Sequence, residues 1–131
     1  MAMQTSRSRG AVHGILDQFR ELGDVLAVAL LDESGRAIAS AGDEAATAAL
    51  ATSIAKLLRE VPGQKSATMI ERLFEDVDEF TVSRGPASSV SLLVRRVGED
   101  WALAAIWTSE TPLARLRSFA AETAGRLEAV S

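Results

Sequence analysis

The chain has 131 residues, 47% hydrophobic and 24% charged, which suits one globular domain with a single core and excludes a disordered chain. It has no cysteine, no tyrosine and a single histidine, His13, so disulfides, thiolate chemistry and a zinc site of the usual nitrogen and sulfur ligands are excluded. The net charge of −4 argues against nucleic acid as a general partner, and no run approaches the roughly 20 apolar residues of a membrane helix.

Residues 1–10 read as a flexible N-terminal segment, with no apolar stretch that would make them a signal peptide, and 11–131 as one domain. The expectation is a cytoplasmic protein without membrane insertion. From Ala11 the pattern becomes helical, with Val12, Ile15, Leu16, Phe19 and Leu22 at three- and four-residue steps and Gly23 as the stop. DVLAVALLD is apolar at almost every position, which predicts a central strand covered on both faces. ESGR then reads as a turn, with AIAS as the second strand of a hairpin and Ala41-Gly42 as a further turn.

Asp43 and Glu44 suit the positive end of a helix predicted over about 43–61. At 100° per residue, Leu50, Ile54, Leu57, Leu58 and Val61 fall on one face, flanked by Ala46 and Ala51. The other face carries Ala45, Ala48, Ala49, Thr52, Ala55, Lys56 and Arg59. Small side chains there would let another backbone approach closely, and alanine's helix propensity accounts for the same choice equally well.

Pro62-Gly63 ends that helix, and MIERLF reads as a short helical piece. DVDEFTVSRG predicts a polar edge strand, SVSLLVRR and WALAAIW two further strands around the VGED turn, and Pro112 opens a last helix. Its buried stripe is Leu113, Leu116, Ala120, Thr123, Ala124 and Leu127. Hairpin-length connections predict an antiparallel sheet, and strands apolar on both faces require helices on both sides: an α+β domain of order α-β-β-α-β-β-β-α.

No catalytic group assembles from these residues. Asp32-Glu33-Ser34-Gly35 lacks both the ligand ladder of a calcium loop and the flanking glycines of a nucleophile elbow, which leaves a hairpin turn. The acidic group Glu71, Glu75, Asp76, Asp78 and Glu79 reads as a solvated edge without fixed partners. Arg84, Arg95 and Arg96 have no glycine-rich phosphate loop beside them, His13 lies just off the apolar stripe, and Trp101 and Trp107 share one face of a strand as core. No metal, cofactor or catalytic residue is expected.

LAVALLDESGRAIASAGD, the alanine-rich helix, EFTVSRG, SVSLLVRRVGEDWALAAIW and a terminal helix beginning PLARLR together resemble the Roadblock/dynein light chain family, in its bacterial, MglB-like branch, over about residues 11–128. The resemblance implies a five-stranded antiparallel sheet with the long helix on one side and the terminal helices on the other. It implies pairing with a second copy or a paralogue through the long helix and the third strand, which adds Phe80, Thr81 and Val82 to the interface residues of the helix. It further implies a non-enzymatic dimeric regulator or scaffold of a small Ras-like GTPase, an activator of which would reposition the GTPase's own groups. Two other functions fit less closely: a structural subunit without effect on GTP turnover, and a small-molecule sensor, against which the apolar core offers no polar cluster to orient a ligand.

Overall fold

The structure is a computed structural model that describes residues 2–23, 25–60, 68, 71, 73, 74, 77–83, 90–108 and 113–130, with backbone alone at 2–9, 22, 23, 83, 90, 108 and 113. Helix α1 spans Ala2–Gly23, β1 Ala27–Leu31, β2 Ala37–Gly42, α2 Glu44–Glu60, β3 Glu79–Ser83, β4 Val90–Val97, β5 Trp101–Thr108 and α3 Leu113–Val130. The five strands form one antiparallel sheet in the order β2-β1-β5-β4-β3. The side chains of Leu22, Val61 and Leu113, the Pro62-Gly63 break, Met69, Ile70 and Arg72 of MIERLF, and Glu75, Asp76, Arg84 and Pro112 lie outside the described residues.

Every residue of β1 is buried, because the strand is central and both its faces are covered. Alternation then sorts the side chains into two cores. Val28, Leu30, Leu93, Leu103 and Trp107 face α1 and α3, where Val12, Ile15, Leu16 and Phe19 meet Leu116, Ala120, Ala124 and Leu127. Ala27, Ala29, Ala102, Ala104 and Ile106 face α2, which sets Leu50 and Ile54 against them. Each of those two leucine-sized burials contributes about 1.5–3 kcal/mol. Trp101 packs on the same side as Trp107, as their spacing requires. The floor on the α2 side is made largely of alanines, and the helix lies over β1, β2 and β5.

α1 begins at Ala2, well before the apolar stripe starts at Val12. β2 also exceeds its expected length. It runs through Ala41 and Gly42, which pair with Val28 and Ala27, so the proposed turn there is a strand end. A register shift at Leu30/Leu31 leaves Ile38 without an opposite residue and about a third exposed.

The hairpin turn forms as expected. Gly35 has φ 89°, its amide donates to the Asp32 carbonyl at 3.0 Å, and the Asp32 amide donates to the Arg36 carbonyl at 2.8 Å. Asp43 caps α2, its Oδ1 accepting the Ala46 amide at 2.7 Å, so the acidic start of the helix acts through a hydrogen bond as well as through the dipole. Glu71 and Leu73 have helical backbone, and the Thr68 hydroxyl accepts the Glu71 amide at 3.1 Å, as in a helix cap.

Candidate functional site

Ala45, Ala48, Ala49, Thr52, Ala55, Lys56 and Arg59 are all exposed on the outer face of α2. Leu50 and Ile54 are buried on its inner face, with Ala46, Leu57 and Leu58 half-buried between. The Thr52 hydroxyl donates to the Ala48 carbonyl at 3.0 Å and so turns back on its own helix. Apart from Lys56 and Arg59 near the C-terminal end, the outer face is a smooth strip of methyl groups.

β3 supplies the second surface. It is the terminal strand, and its register with β4 places Phe80 opposite Val94 and Val82 opposite Leu92. The Arg96 amide donates to the Asp78 carbonyl at 2.8 Å, which makes Asp78 and Arg96 a hydrogen-bonded pair. By alternation Phe80 and Val82 also bond to β4, whereas Glu79, Thr81 and Ser83 direct their N–H and C=O groups to the open edge. Phe80 and Val82 pack on the α2-side core with Leu57 and Leu58. The Phe80 ring lies 5.7 Å from that of Phe74 at a tilt of 49°. The structure therefore joins the α2 and β3 residues to one core, with the helix strip facing off the sheet and the strand edge lying in its plane.

Glu79 departs from the solvated edge expected of the acidic group. Its side chain is only 8% exposed and points toward α3, with Oε1 on Arg95 Nη1 at 3.2 Å and Oε2 on Arg117 Nε at 2.8 Å. Arg95 stands directly opposite on β4, so a register would have exposed half of the pair, but Arg117 is far along the chain. An inward charge on an edge strand discourages indiscriminate strand addition. Arg96, on the other face, donates from Nε to the Gly98 carbonyl at 2.9 Å, within a hollow rimmed by Glu33, Glu71, Glu99 and Asp100.

The Asp32 Oδ1 accepts from the Ser34 hydroxyl at 2.6 Å, the Ser34 amide at 2.9 Å and the Arg36 amide at 3.0 Å. Burial alone would raise this carboxyl; the hydrogen bonds from Ser34 and Arg36 and the Arg36 charge outweigh it and hold the group below its usual value. The Ser34 hydroxyl is thus committed to the turn, and the exposed His13 lies on α1. Among the described residues no group of three metal-ligating side chains converges, and no helix is long and apolar enough to cross a membrane.

Among the described residues, helices α1, α2 and α3 on a five-stranded antiparallel sheet define an α+β domain with a Roadblock-like fold. The same fold occurs in MglB from Myxococcus xanthus, which is 20% identical with a TM-score of 0.70 over 92% of this chain and 87% of that one. MglC from Myxococcus xanthus is 15% identical with a TM-score of 0.67, over 91% of this chain and 98% of its own. The Roadblock/LC7 domain from Streptomyces avermitilis is 18% identical with a TM-score of 0.60, over 86% and 90%. No family model and no curated protein matches the sequence.

Proposed function

We propose that the chain is a dimeric regulator or scaffold of a small Ras-like GTPase, working in the cytoplasm and carrying out no chemistry of its own. The observation that carries this reading is the pairing of two unsatisfied surfaces on one core: the methyl-lined outer face of α2 and the open edge of β3. A second copy, or a paralogue, added edge to edge at β3 satisfies the outward groups of Thr81 and brings its own α2 toward the first. The likeness to this fold in MglB, which has been solved in a tetrameric arrangement, supports self-association. Lys56 and Arg59 then lie at the rim, where they reach carboxylates of the GTPase and act mainly on association rate, in a salt-sensitive way.

The test measures mass and capture together. Light scattering at micromolar concentration should give about twice the 13.9 kDa chain mass. A pull-down should retain a small Ras-like GTPase, with a difference between its GTP-analogue and GDP forms. Thr52→Arg, with its fold checked by thermal melting, should weaken one or both, since a long charge then occupies the centre of a close approach. A monomer at every concentration that also ignores the nucleotide state of the GTPase would sink the reading. A dimer that captures the GTPase without altering turnover identifies a scaffold.

A further inference from the structure

Between α2 and the sheet, on the side of the β1–β2 hairpin, the small side chains of Ala29, Ala37 and Ser40 leave the helix without a full floor. The result is a half-open apolar cleft of about 190 Å³, walled by Leu31, Leu50, Ile54 and Leu58. Ala51 and Ala55, both exposed, stand at its mouth. Ser40 and Thr47 are the hydroxyl-bearing residues of its lining. Neither hydroxyl bonds to a described residue, in contrast to Thr52, whose hydroxyl is tied to its own helix. Among the described residues no acidic or basic side chain lines the space.

We propose that this cleft is a binding site for a small uncharged molecule with a planar apolar body and one hydrogen-bonding group. The volume decides the size, since an apolar cavity of about 150 Å³ holds benzene, and a slightly larger one takes a ring system of about six to ten non-hydrogen atoms. The absence of charge from the lining decides the ligand's own charge, because an ion would lose its hydration with nothing to replace it. Ser40 on the sheet and Thr47 on the helix supply the donor and acceptor that orient it. The site adjoins the outer face of α2, since Ala55 belongs to both, and it provides the polar contacts that the core sequence did not reveal.

Indole is the probe. Titrated into the full chain and followed by backbone amide resonances, it should give saturable shifts at Ala29, Ser40, Thr47 and Ile54. Ala51→Phe, which closes the mouth, should abolish them, and Ser40→Ala should weaken binding about two- to tenfold, the worth of one hydrogen bond. Ala121→Phe, on the exposed face of α3, should bind indole as the parent does. Thermal melting confirms each fold, and Ala51→Leu serves as a second closure if Ala51→Phe fails to fold. Shifts that do not saturate, or that survive both closures, overturn the proposal. Light scattering on the same samples separates the remaining case: a closure that lowers the mass while the parent binds no indole shows a protein side chain in the cleft, and also overturns it.

Discussion

At Gly42 two demands coincide. Its φ of 137° is a conformation L side chains rarely adopt, and an added Cβ would lie 2.9 Å from both the Ala27 Cβ and the Leu26 carbonyl oxygen. Gly42→Ala should therefore cost about 2–4 kcal/mol, combining backbone strain with overpacking, as read from urea midpoints. Gly35, at φ 89° in the hairpin turn, carries a conformational demand, and Gly35→Val should cost about 1–3 kcal/mol. Asp32 gives a pH signature. Its folded value is depressed, so its contribution is present above the unfolded carboxyl value near about 3.9 and is lost as pH falls through the folded one. Between pH 5 and pH 2 the parent should lose more stability than Asp32→Asn, which cannot ionise; parallel losses would remove Asp32 from the acid response. Sequence marked the Gly35 turn because Asp-x-Ser-Gly names its own hydrogen bonds. It misplaced Gly42, because a glycine required by a neighbour's proximity looks the same as one required by a turn.

At the level of the element, β3 separates inward from outward main-chain groups. Phe80→Pro removes a donor to β4 and should cost about 3 kcal/mol or more in thermal stability. Thr81→Pro removes one that faces the open edge, so it should leave the melting temperature almost unchanged while lowering self-association in light scattering. Equal effects at the two positions would show that the strand does not alternate as its register requires. The stripe of α2, the all-apolar β1 and β5 and the edge character of β3 were legible because burial writes itself into periodicity. The Glu79 link to Arg95 and Arg117 was not, since it depends on a strand register and a helix placement that no local pattern encodes.

For the whole molecule, the order of elements and the three layers followed from hydropathy and connection length, whereas the cleft beneath α2 did not. A void is a mismatch between two surfaces, and Ala37 and Ser40 reveal it only once the helix lies over them. The strand order has a further consequence, for biosynthesis. β1 is among the first elements made, yet its inner neighbour is β5, with Ala27 opposite Ile106. At about 5–20 residues per second, the nascent β1–β2 hairpin waits several seconds with one side of β1 unpaired. Helix α3, which completes the larger core, arrives later still. A ribosome stalled after Asp100 should hold a protease-sensitive chain, and one stalled with all of α3 outside the tunnel a resistant one. An open sheet whose two hairpins are joined only by its last strand is thus completed after that strand emerges, and β1 depends on whatever shields its unpaired side until then.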